Sequence, residues 1–248
     1  MTTTDFCFFQ PRDPKRSPIT STWSVSTINA VASAIRDAWR EIETFEYFTA
    51  RKFHPDHYRD EDELTTKMAE ILNDRLENAT TGIFKKEVFH VIVRDGKQST
   101  ATVSSTEQMP DLCFRLMNTA PGESREESAL YVEAKLLDPD GGCREYVVNG
   151  LHRFVSGHYA PQVTFGMMLG YCVSGFNDPG KELSGYFSRA TSDDAKRCIA
   201  PVTFDARGWH TTDHIRIAPA TPKFKALHVW VERPIAPAVL AAPASGST

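Results

Sequence analysis

Residues 129–137, ALYVEAKLL, constrain this chain more than any other stretch. Side chains alternate between the two faces of a strand, so residues two apart point the same way. Leu130, Val132, Ala134 and Leu136 then share one face and can enter a core. Tyr131, Glu133, Lys135 and Leu137 share the other, which sets an acid beside a base on a rigid element. Taken alone, the segment also reads as a solvent-facing strand edge with an ion pair worth little.

The rest of the chain supplies a frame for that strand. Before it, STINAVASAIRDAWREIETFEYF carries Ile28, Val31, Ile35, Ala38 and Ile42 at helical spacing, with Ser26 or Thr27 as the expected N-cap. FHPDHYRDED reads as a charged connection containing Pro55. DELTTKMAEILNDRLENAT places Leu64, Met68, Ile71, Leu72 and Leu76 on one stripe, and Gly82 ends the turn that follows. The period then changes. KEVFHVIVR and PDLCFRLM read as strands, with a tight turn at RDGKQ and a polar loop at NTAPGESREES. Beyond ALYVEAKLL, REYVVNGLHRFVSG is a third amphipathic helix with Val147, Val148, Leu151, Phe154 and Val155 on one face. VTFGMMLGYCVSG reads as a central strand, DPGKELSGYFSRA as a capped helix, and HIRIA and ALHVWVER as late strands. This order predicts one α/β domain over 23–233 with a mixed central sheet, an irregular arm at 1–22 and a Pro/Ala-rich tail at 234–248.

Composition narrows the classes. The chain has 248 residues and a formal net charge of −4, which does not describe a generally basic nucleic-acid-coating protein, although a local basic groove is compatible with it. No run approaches a membrane span, and no secretory signal opens the sequence. The five cysteines are dispersed and form no C-x-x-C pair, which suits a reducing cytoplasm rather than a disulfide scaffold or zinc ribbon. Phosphate-cradling loops and a G-x-S-x-G elbow are missing from the sequence. His210 and His214, and His54 and His57, have spacings that invite zinc, but the first pair sits in strand-like sequence and the second flanks Pro55.

Chemistry concentrates where two strands meet. In MPDLCFRLM, Leu112, Phe114 and Leu116 alternate inward and leave Asp111 at the strand's start on the opposite face. Pairing of this strand with 132–136 brings Asp111 toward Glu133 and Lys135. Two carboxylates and the Ala134 carbonyl would give a hard cation the oxygen ligands it prefers. Lys135 would then orient or help deprotonate an attacking water, or neutralise charge on a reacting phosphate.

Pro110–Asp111 with Glu133–Ala134–Lys135, in this strand context, resembles the PD-(D/E)XK phosphodiesterase superfamily. The resemblance spans roughly Glu63 to Glu232. It implies a restriction-endonuclease-like mixed sheet flanked by helices, and a Mg²⁺-dependent nuclease (Mn²⁺ substituting) with DNA as the leading substrate. Asp111, Glu133 and the Ala134 carbonyl would hold the metal, with Glu63 as the helix acid and Glu61 and Glu70 as alternatives. Asn149, Arg153 and Tyr159, on or just beyond the following helix, would face the substrate. The run NGLHRFVSGHY…GMMLGY is also similar to small bacterial nucleases associated with defence against mobile DNA. A homo-oligomer or a partner protein could supply targeting or an ATP-driven step. The competing expectation is a nuclease-like fold kept as a nucleic-acid-binding or protein-interaction module without turnover. Arg94, with Lys97, reads as ordinary charged surface.

Overall fold

A computed structural model describes residues 23–42, 57–94, 110–118, 128–137, 142–159, 161, 163–172, 178–189, 203–204, 210–216 and 223–232. The expected arm at 1–22, the RDGKQ turn beyond Arg94, His54 and the tail at 234–248 lie outside these residues.

Two helices come first. α1 (Val25–Ile42) buries Val31, Ile35, Ala38, Trp39 and Ile42 along one stripe, each large side chain contributing about 1.5–3 kcal/mol by burial. Its cap is Ser24, not Ser26 or Thr27, because the Ser24 hydroxyl accepts the Thr27 N–H at 3.1 Å. α2 (His57–Asn78) buries Leu64, Met68, Ile71, Leu72 and Leu76. It begins five residues before the expected Asp62, and therefore takes in Glu61.

Seven strands follow, joined in one sheet of order β1-β2-β3-β4-β7-β6-β5. They are β1 (Val93–Arg94), β2 (Leu112–Arg115), β3 (Ala129–Leu137), β4 (Phe165–Cys172), β5 (Thr203–Phe204), β6 (His210–Ile215) and β7 (Lys223–Glu232). β5 has no counterpart among the expected strands. The central β3, β4 and β7 run parallel, and the outer pairs are antiparallel, so the sheet is mixed. Its continuous apolar runs agree with burial on both faces. Leu130, Val132, Ala134 and Leu136 of β3 join α1 and α2 in one core. Tyr131 and Leu137 join a second core on the opposite face.

That second core is built on a helical segment, α3, and on α4 (Pro179–Arg189). α3 runs through Gly142–Glu145, a π turn at Tyr146–Leu151 and His152–Val155. The outcome is an α/β/α arrangement, a mixed sheet flanked by helices. No helix among the described residues is long and apolar enough to cross a membrane.

At the β1 edge, only Val93 and Arg94 of the expected strand KEVFHVIVR form a ladder, with an isolated bridge at Phe89–Leu116. Just before it, Ile92 is held from the side by α2. The Asn73 amide donates to the Ile92 carbonyl at 3.0 Å, and its oxygen accepts the Ile92 N–H at 2.8 Å.

Candidate functional site

The register decides what reaches what. Leu112 pairs with Val132 in the antiparallel β2–β3 ladder, so Asp111 lies just past the end of β2, alongside Glu133. β3 continues beyond that end, and its N–H groups there need other partners. Asp111 Oδ2 accepts the Ala134 N–H at 2.7 Å. Glu61 Oε2 accepts the Leu136 N–H at 3.0 Å. Two carboxylates thus cap the exposed backbone of the strand that carries the motif.

Lys135 ties these acids together. Its Nζ lies 2.6 Å from Glu61 Oε1, 2.7 Å from the Ala134 carbonyl and 3.3 Å from Glu133 Oε1. The ammonium is largely buried, and the acids around it hold its pKa above the usual lysine value against the opposing effect of burial.

Glu133 is the unusual member. It is completely buried, because α3 covers the face of β3 that alternation alone leaves open to solvent. Oε1 accepts from Arg153 Nη1 at 2.8 Å, whereas Oε2 is buried and accepts no hydrogen bond among the described residues. Burial, then the nearby Asp111, push the carboxyl up from 4.5 to about 8, against the opposing pull of Lys135 and Arg153. A buried carboxyl so perturbed by desolvation and by specific charged neighbours is the physical mark of a candidate site.

Arg153 is positioned by the way α3 ends. Gly157, at φ 79°, turns the chain in a conformation open to glycine, and the Tyr159 N–H returns to the Arg153 carbonyl at 2.9 Å. Arg153 Nη1 also donates to the Tyr159 hydroxyl at 2.7 Å. The buried Arg216 pins this turn by donating to the carbonyls of Phe154, Pro161 and Val163. The π turn brings the backbone of Gly150 against the sheet. A Cβ there would lie 3.1 Å from Lys135 Cγ and 2.7 Å from Met168 Cε. Such wide turns concentrate at functional positions.

Of the residues expected from the sequence, Asp111, Glu133, Ala134, Lys135, Arg153 and Tyr159 are brought together. Two are not. Glu63 is exposed, and the α2 acid on the site is Glu61, two residues earlier. Stepping the apolar stripe back from Leu64 and Met68 by three and seven residues reaches Glu61, whereas Glu63 is turned roughly 200° away from it. Asn149 is also exposed, and its amide donates to Glu145 on the same segment. Of the histidine spacings, His210 and His214 form no ligand pair, since His214 is buried on β6 four strand residues from His210, and the pairing of His54 with His57 lies outside the described residues.

The donor chemistry suits a hard cation, since Asp111, Glu133, Glu61 and the Ala134 carbonyl all offer oxygen and Glu133 Oε2 is a buried acceptor with nothing to accept. Among the described residues, however, no three His, Cys, Asp or Glu side chains converge as a ready cage. The Lys135 ammonium lies between Glu61 and Glu133 and compensates their charge instead. Comparison with family models, curated proteins and solved structures finds no match.

Proposed function

We propose that this chain is a metal-dependent phosphodiesterase of the PD-(D/E)XK type, with the restriction-endonuclease-like fold, and that it cleaves nucleic acid, DNA first. One observation carries the proposal. A fully buried Glu133 with an unsatisfied oxygen stands beside Asp111 and is held by Lys135 and Arg153. A fold that needed only stability gains little from such a group, because burying charge is costly even when it is paired.

Asp111, Glu133 and the Ala134 carbonyl would hold Mg²⁺, or Mn²⁺ in its place, with Glu61 rather than Glu63 as the acid from the helix. A divalent ion there supplies Lewis-acid polarisation of the diester and acidifies water. Lys135 orients the attacking water and offsets negative charge as it builds on the phosphate. Arg153, half exposed on its outer side, contacts a phosphate oxygen. Defence against mobile DNA is compatible with this chemistry and rests on the resemblance of the run NGLHRFVSGHY…GMMLGY alone.

A second proposal draws on the strand caps. Asp111 and Glu61 each satisfy a backbone N–H of β3, which gives both acids a structural role without turnover. A non-catalytic binding module would keep them for that reason.

The two separate in one assay. Purified wild type, Asp111→Ala and Lys135→Ala are incubated with plasmid, linear duplex, single-stranded DNA and RNA, in Mg²⁺, Mn²⁺ or EDTA. The phosphodiesterase proposal expects cleavage that EDTA abolishes and that both substitutions reduce by roughly 10²-fold or more. Binding without cleavage, equal in all three proteins, supports the module.

A further inference from the structure

Arg94 stands on the flank of the site opposite Arg153. It pairs with Leu112 in the β1–β2 ladder, one residue from Asp111. Its Nη1 donates to the Thr66 hydroxyl, and its Nη2 lies 2.9 Å from Asp62 Oδ1. Asp62 follows Glu61 on α2, and Thr66 lies about one turn further along the same helix. The Tyr171 hydroxyl, 3.2 Å from Thr65 Oγ1, lies within electrostatic reach of Asp111, Glu61 and Arg94 together. The guanidinium therefore shares the surroundings of the acids.

We propose that Arg94 is a phosphate anchor that engages a nucleic-acid strand next to the phosphate at the carboxylates. The inference rests on the phosphodiesterase proposal and deepens it by naming a second phosphate position along the bound strand. Adjacent strands lie about 4.8 Å apart, which sets the backbones of Arg94 and β3 roughly 10 Å apart across β2. Arg94 packs against α2 whereas Glu133 lies under α3, so a group held at Arg94 is a neighbour of the one at Glu133 rather than the same phosphate. The guanidinium is also fixed in orientation. Thr66 holds one arm while the other faces Asp62, whose side chain is 72% exposed against 27% for Arg94. Exposed pairs of this kind contribute little, so a phosphate can take the place of Asp62 at low cost, with the forked geometry that arginine offers phosphate oxygens.

The test measures binding of the full chain in EDTA to fluorescein-labelled single-stranded DNA and RNA of about 20 nucleotides over a range of salt concentrations. Arg94→Gln is expected to weaken binding about tenfold and to reduce the slope of log affinity against log salt by about one. Arg94→Lys keeps the slope. Asp62→Ala, which takes the competing carboxylate away from the guanidinium, binds more tightly than wild type, an outcome that misfolding cannot produce. The proposal is overturned if Arg94→Gln leaves the slope unchanged, if Asp62→Ala weakens binding, or if wild type binds neither polymer. Cleavage by wild type in Mg²⁺ is read separately, so loss of the phosphodiesterase proposal leaves the anchor testable, and the reverse.

Discussion

Arg153 and Glu133 form an ion pair with one sealed member and one open member. The Glu133 side chain is 1% exposed and the Arg153 side chain 38%, across a 2.8 Å contact. Arg153 can exchange its partner for another anion with part of its hydration already in place. Glu133 cannot, and depends on whatever cation is brought to it.

The first prediction concerns pH. Burial and Asp111 raise Glu133 to about 8, so the folded protein holds that proton more tightly than the unfolded chain, whose carboxyl titrates near 4.5. The resulting contribution to stability is fully present below 4.5 and is lost as pH rises through about 8. Melting temperatures in EDTA, followed from about pH 7, above the range of the buried histidines, to about 9, should fall for wild type and fall less steeply for Glu133→Gln. Parallel curves would sink the assignment.

The second concerns the pair itself. Arg153→Gln leaves Glu133 with Lys135 as its remaining cation. Above pH 8 the loss should be roughly 1–3 kcal/mol in urea unfolding, below the full cost of breaking a sealed pair because Lys135 stays and Arg153 is half exposed. In the Glu133→Gln background the same substitution should cost markedly less. Additive effects in this cycle would show that the two residues do not couple.

Gly150 gives a third. An alanine there must displace Met168 Cε and press on the stem of Lys135. Overpacking of this size costs about 1–3 kcal/mol. Because the Met168 end can move and the Lys135 stem has less room, nucleic-acid cleavage should fall by more than stability does. A variant that melts lower but cleaves normally contradicts this.

A fourth lies away from the site. Thr212 Oγ1 sits 2.6 Å from His214 Nε2 and 2.9 Å from His228 Nε2, and the Tyr146 hydroxyl meets His228 Nδ1 at 2.8 Å, all buried. A hydroxyl has one proton and two lone pairs, so Thr212 donates to at most one of the two rings and accepts from at least one of them. Thr212→Val leaves two buried ring nitrogens without this partner and should cost about 2–4 kcal/mol. Burial lowers both histidines, His214 to about 4. Their contribution to stability is present above the unfolded value of 6.5 and is lost as pH falls toward 4. Wild-type stability should therefore begin to fall near about pH 6, read as a falling melting temperature, while the imidazole signals of the folded protein in NMR stay those of neutral rings.

Much of this fold is written in the spacing of apolar residues. The alternation in 112–116 and 130–136 predicts the strand pair, and the register that follows from it delivers Asp111 to Glu133. The burial of Glu133 is not legible in that pattern, because alternation assigns a face and says nothing of what will cover it. The covering segment, α3, follows helical counting at Val147, Leu151, Phe154 and Val155 and departs from it elsewhere. Its π turn at Tyr146–Leu151 shifts the phase, so Tyr146 is buried, Val148 is only partly buried and Asn149 points outward. Glu61 ranks only as an alternative to Glu63 in the sequence for a different reason. Pro55 and the charged run FHPDHYRDED suggest a connection, whereas α2 starts at His57 and carries the acid into the site. Arg94 looks like surface charge because only the ladder with β2 places it beside Asp111.

The clamp that Asn73 places on Ile92 has a consequence for how copies of this protein meet. A bare strand edge is a template on which another chain can add, and a flat apolar one invites aggregation. Here exposed Val91 and Val93 flank Ile92, whose outward N–H and carbonyl are already taken by a side-chain amide that mimics a neighbouring strand. The amide acts as a terminator. It uses up the polar groups that a growing stack would need, while leaving the apolar side chains on either side in contact with water.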